Sequence, residues 1–278
     1  MRYIHRVAIR ATHPQIAELL TLGVRLEPGC KISNEPEPLI AFRIAEDHPN
    51  WPPIWRLVHE CDREPLAILL TEFTTRELDE ARWLQLFAWE NGFPQPQDLR
   101  AYSEVTFDRS RWCDKCGLGK VQNAPFRIKM EPKWGRRAIM MLHWVFDEIF
   151  VPPAVWETVF KPFGIKCRPV ANRSGKELQT VAQLVIDEEV DLVMDRLQVK
   201  EVCAGCGRKK YTHSHRGYHP PLAQEPSGAI AKTRQAFGDG WPQREVIISQ
   251  DLRQAMLAHQ IRGAEFMPLE AALPAVVA

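Results

Sequence analysis

Cys113-Asp114-Lys115-Cys116-Gly117 and Cys203-Ala204-Gly205-Cys206-Gly207 are two copies of one motif, CxxCG, in a chain of 278 residues. In each copy two thiolates three positions apart can converge on one ion. The following Gly gives the backbone the freedom to double back beneath it. One such knuckle supplies half of a tetrahedral shell, so the pair predicts a single four-cysteine zinc site formed by Cys113, Cys116, Cys203 and Cys206. Two other chemistries use the same residues, a redox dithiol and an iron–sulfur cluster. A thioredoxin-like CxxC opens a helix after a strand, whereas polar, turn-rich stretches (GLGK and GRKKY) follow these knuckles. No neighbouring feature points to electron transfer. Four protein thiolates leave no position for water, so the expected zinc is structural and performs no Lewis-acid hydrolysis.

The remaining polar residues form weaker patterns. His213, His215 and His219 follow the second knuckle in YTHSHRGYH and read as a polar loop beside it. A replacement ligand, a second metal site or a proton-transfer group are the alternatives. Asp187, Glu188, Glu189, Asp191 and Asp195 form an acidic run that could meet a basic partner protein or stand as a solvated face. Arg136, Arg137, Lys209 and Lys210 lie in basic clusters that include an aromatic residue, the pattern of a nucleic-acid contact. Asp147 and Glu148 are adjacent in a predicted strand, so they are expected on opposite faces and unable to share one substrate. Cys61 and Cys167 read as buried thiols. No GxxxxGK[ST], HExxH, GxSxG or GxGxxG motif is present.

Elements of both periods must position these residues. Strand-like runs at 3–12, 39–44 and 66–73 alternate with helix-like stretches after Pro14, after Pro52-Pro53 and from Thr75 through Trp89. Asn91 to Pro96 breaks the pattern and reads as a linker. The expected division is therefore 1–98, a small α/β module, and 99–278, a zinc-binding domain. Within the zinc-binding domain a pair of segments runs strand, helix, Gly, strand: Asp147 to Val170 and Arg244 to Leu269. Pro152 and Ser249 stand at equivalent helix starts, and each segment follows its own knuckle. The pattern predicts two pseudo-repeats, about 111–170 and 201–270, and an α+β fold overall. A 45% apolar and 26% charged composition is that of a soluble globular protein, and a net charge of +1 gives no global attraction to nucleic acid or membrane. Seven cysteines, an odd number, fit a reducing cytoplasm better than a disulfide scaffold.

The paired knuckles, the Asp-Glu-Ile-Phe-Val strand at 147–151 and the ending from Glu-Val-Ile-Ile-Ser to Gly-Ala-Glu-Phe-Met-Pro-Leu resemble the double-CXXCG motif proteins best known from myxobacteria. The resemblance covers residues 111–270. It implies metal binding at Cys113, Cys116, Cys203 and Cys206. It also implies a non-enzymatic role, since some members are immunity proteins that neutralise a cognate toxin. Here residues 1–112 precede the first knuckle, where the family usually begins near it. The expected function is a zinc-stabilised protein-binding module of the immunity type, with the acidic run 187–195 as the candidate toxin contact. The alternative is a zinc-ribbon nucleic-acid binder.

Overall fold

The computed structural model describes residues 1–238 and 241–271; residues 239–240 and 272–278, the last of which end the expected zinc-binding domain, lie outside the described residues. The fold is mixed α+β and mostly strand. The chain divides into two compact units, one holding Met1–Glu77 with His215–Gly217, the other Leu78–Ser214 with the chain from Tyr218 onward.

The first unit runs β1 (Arg2–Arg10), α1 (His13–Thr21), β2 (Leu39–Ala45), α2 (Trp51–Cys61) and β3 (Leu66–Glu72). Its antiparallel sheet has the order β2-β1-β3. Period-two alternation sends Val7 and Ile9 of β1 and Ile40, Phe42 and Ile44 of β2 to one face, where they meet Leu19 of α1 and Ile54 of α2. A capping box opens α1: the Thr12 amide donates to Gln15 Oε1 at 2.9 Å. The tripeptide from His215 is fixed to this unit by charge. Arg216 donates twice to Glu46, at 2.9 and 2.7 Å, and His5 lies 2.8 Å from the same carboxylate. Arg216 and His5 hold the Glu46 carboxyl down at about 2.

The division falls inside a short helix, α3 (Thr75–Glu80), earlier than the expected boundary at 98. The helix expected through Trp89 stops there, and residues 83–88 are instead a strand, β4 (Trp83–Ala88). Ladders on both of its sides override the helical preference of the segment.

The second unit continues with α4 (Leu99–Thr106), β5 (Phe107–Asp108), β6 (Val121–Gln122), β7 (Arg127–Ile128), β8 (Met140–Leu142) and β9 (Val145–Val151). The helix α5 (Pro153–Val155) runs on through a π-helical turn, Trp156–Phe160, and a 3-10 turn, Lys161–Phe163. Then follow β10 (Lys166–Asn172), β11 (Glu177–Val185), β12 (Glu189–Val190), β13 (Val199–Val202), β14 (Lys209–Tyr211), β15 (Ile230–Phe237), β16 (Gln243–Ser249), α6 (Gln250–Ala258) and β17 (Ala264–Pro268). Both expected strand-helix-strand segments form. Ser249 caps α6 by accepting the Leu252 amide at 3.2 Å.

The two segments are wired alike. One sheet contains the order β8-β9-β11-β10, and the other contains β15-β16-β4-β17. In each, a helix joins two strands that run the same way, and one antiparallel strand lies between them. In the first segment that strand is the next in sequence. In the second it is β4, from far upstream. Alternate residues of the central strands serve different cores. Ile149 and Val151 of β9 and Val246 and Ile248 of β16 join one apolar cluster with Leu84, Leu86 and both helices, while Phe150 and Ile247 face the clusters behind each sheet.

Leu84→Ala, at a fully buried β4 position, should cost about 2–5 kcal/mol in urea denaturation. Leu257→Ala, on the open side of α6, should cost under about 1 kcal/mol. A carboxyl depressed from 4.5 to about 2 contributes stability above the unfolded value, and loses it as the pH falls toward 2. Glu46→Gln should therefore destabilise the first unit at pH 7, with the gap from wild type closing between pH 4.5 and 2; a constant gap would refute the linkage.

Candidate metal centre

Each knuckle is the tip of a two-stranded hairpin. The first lies between β5 and β6 and the second between β13 and β14. Their turns close with the same two backbone bonds. The Cys113 amide donates to Leu118 O at 2.9 Å and the Gly117 amide to Cys113 O at 2.7 Å; Cys203 and Gly207 do the same toward Arg208 O and Cys203 O, at 2.9 and 2.8 Å. Gly117 and Gly207 both adopt φ of 72°, the left-handed conformation a side chain disfavours, so the Gly of the motif is required by the turn.

The tips meet. The four sulfur atoms of Cys113, Cys116, Cys203 and Cys206 lie within 4.8 Å of one another. Cys113 is 3.7 Å from Cys203, and Cys116 is 3.6 Å from Cys206. A regular tetrahedron with metal–sulfur bonds of about 2.3 Å has sulfur–sulfur edges of about 3.8 Å, so the spacing fits one metal ion. The hairpins are also tied directly, because Arg208 donates to Leu118 O at 2.7 Å and to Arg111 O at 3.2 Å. Backbone amides lower the pKa of two of the sulfurs. The Cys116 and Lys115 amides hold Cys113 down at about 6, and the Gly205 amide lowers Cys203. Burial pushes Cys116 up to about 12, so a cation must draw off its proton.

The histidines do not join this cluster. His213 Nδ1 is 3.1 Å and His219 Nε2 2.6 Å from opposite oxygens of Glu245. Burial works against the Glu245 charge, but His219 and His213 outweigh it and keep the carboxyl low. His215 belongs to the first unit, where its carbonyl accepts from Thr71 Oγ1 at 2.9 Å. Cys61 and Cys167 are half-buried, and burial raises both thiols.

Most of the acidic run is already engaged. Glu188 accepts from the Ser227 and Gly228 amides at 2.5 and 2.9 Å. Glu189 pairs with Arg244 at 2.6 Å, and Asp191 pairs with Arg234. Asp187 and Asp195 are exposed and stand outside these pairs. The basic candidates are likewise divided. Lys210 is buried and 3.0 Å from Glu201, and Arg137 stacks 3.8 Å over the Trp89 ring, leaving Arg136 and Lys209 exposed.

One part of an expectation is corrected: adjacency in a strand does not keep Asp147 and Glu148 from sharing a cavity. Asp147 and Glu148, adjacent in sequence, line one cavity of about 840 Å³ that opens beside the knuckles. The ladder between β9 and β11 holds only Val151 and Phe150, so at 147–148 that edge of β9 is free and the cavity wraps it. Both carboxylates are buried, at 5% and 7% exposure. Glu148 accepts from Lys232 Nζ at 2.6 Å and from Gln183 Nε2 at 2.8 Å, and Gln183 exchanges two hydrogen bonds with Gln122. Lys232 escapes sequence reasoning because nothing in its own strand, IAKTRQAF, points to its partner. Its partner lies 84 residues away.

Among the described residues no helix is long and apolar enough to cross a membrane. No protein-family model, curated protein or solved structure matches this chain.

Loss of any one thiolate leaves an incomplete shell. Cys113→Ser and Cys206→Ser should each lose bound metal in elemental analysis and lower stability by several kcal/mol. Full metal content with wild-type stability in either variant would rule out a structural centre.

Proposed function

We propose that this chain is a non-enzymatic, zinc-stabilised protein-binding module, of the immunity type that neutralises a cognate toxin. Zinc would be held by Cys113, Cys116, Cys203 and Cys206, and would supply a cross-link between the two hairpins and no open coordination position. The observation that carries this reading is the closed four-sulfur cluster formed by two hairpins with the same turn bonds. A centre of that kind braces surfaces and leaves function to them.

An internal duplication belongs to the proposal. Its support is the shared strand order and the shared knuckle geometry, with β4 taking in the second copy the place that β11 takes in the first. The resemblance to double-CXXCG proteins supports the immunity role. The acidic run is a poor contact for a basic toxin, because Glu188, Glu189 and Asp191 are spent on internal partners. The nucleic-acid reading is weaker still, since Lys210 and Arg137 are engaged within the protein. A cytoplasmic location accords with free thiols at the metal centre.

Co-expression with the toxic product of a neighbouring gene tests the proposal. Growth should be restored by the wild-type chain and not by Cys113→Ser. Failure to protect against any neighbouring toxic product, or to bind it, would sink the immunity role.

A further inference from the structure

The cavity beside the knuckles has more positive charge than its carboxylates use. Eight Arg and Lys side chains and four Asp and Glu line it, a surplus of four on a chain whose whole net charge is +1. Internal pairing accounts for some of the eight. Lys232 serves Glu148, Arg244 serves Glu189, Arg234 serves Asp191, and Arg208 is bonded to the carbonyls of the first knuckle. Among the described residues Arg111, Lys120, Arg168 and Lys209 make no ion pair. They come from four places in sequence: before the first knuckle, after it, β10 and β14. Only the fold brings them to one cavity.

Lys120 is the decisive residue. Its side chain is half-buried in the cavity wall, and its ammonium rests 4.8 Å from the centre of the Phe107 ring. Burial lowers its affinity for its proton, which Asp147 and Glu148 only partly offset. An unpaired ammonium in such a place costs stability unless an anion joins it. Asp147 lies at the same wall and offers an acceptor for a hydroxyl.

We propose that this cavity binds a phosphorylated small molecule of nucleotide size carrying two or more phosphoryl groups. Its volume falls in the range of ligand sites. The four unpaired cations match the charge of a di- or triphosphate, and Arg111 and Arg168 offer the forked donors that phosphate oxygens accept. A nucleic-acid strand fits less well, because a continuous backbone would have to pass the carboxylates of Asp147, Glu148 and Asp187. The site goes beyond the protein-binding role and stands or falls separately from it.

Calorimetric titration of the full, zinc-loaded chain with ATP, ADP, AMP, pyrophosphate and a single-stranded oligonucleotide tests this, with metal content measured before and after. Affinity should fall from ATP to ADP to AMP, and pyrophosphate should compete with ATP. Lys120→Gln and Arg168→Gln should each weaken ATP binding at least tenfold. Lys166→Gln, exposed on β10 outside the cavity, should leave it unchanged. If Lys120→Gln loses metal or folded structure, Arg168→Gln decides alone. No binding of ATP at millimolar concentration, equal binding by wild type and Arg168→Gln, or preference for the oligonucleotide would each overturn the proposal.

Discussion

Closure of the chain at four sulfur atoms is the constraint on which the second unit depends. Cys113 and Cys203 are ninety positions apart, and bringing them together costs loop entropy that the intervening strands must offset. A metal ion joining both tips would change the balance, because its binding free energy would enter folding directly. Arg208 reinforces the same junction without metal, by donating across it to the first hairpin's carbonyls. The hairpins themselves are short and largely exposed; β5 and β6 are two residues each. Such strands do not persist alone, so the junction and the sheets must stabilise each other.

The second closure is made by β4. Leu84 and Leu86 lie in the core shared by both helices, and β4 is laddered to β16 on one side and β17 on the other. Without it two strands that run the same way would face each other across a gap. A parallel pair joined by a short helix needs that intervening strand when the order is split. In the first segment the chain supplies it at once, as β11. In the second the chain supplies it before either knuckle, which is why a boundary drawn at the Pro-rich stretch after Asn91 cuts the sheet.

What sequence made legible follows from range. The knuckles are local: two thiols, a turn and a Gly, all within five residues, and their pairing needs only coordination number. The first unit's strands and helices were readable because period-two and period-3.6 patterns are carried by near neighbours such as Val7 and Ile9, or Ile54 and Val58. Residues 75–89 misled because a run of good helix formers is visible locally and two distant ladders are not. The internal partners of the acidic run were illegible for the same reason, Arg234 and Arg244 lying more than forty positions downstream. Asp147 and Glu148 show the limit most clearly. Alternation speaks to the two faces of β9, not to a cavity that wraps its edge where the ladder to β11 has ended.

The metal centre and the cavity are then one design seen from two sides. Gly117 to Lys120 and Gly207 to Lys209, the chain just past each knuckle, both line the cavity. A closed shell of four sulfurs would leave an ion nothing to offer a ligand, but the meeting of the two tips sets where these two exits run. The bound Arg208 adds a second fastening at the same place. Lys120 stands at the exit of the first knuckle, with its ammonium 4.8 Å from the centre of the Phe107 ring on the cavity wall it shares with Asp147 and Glu148. An ion held by the four sulfurs would set the course of both cavity-lining segments without entering the cavity.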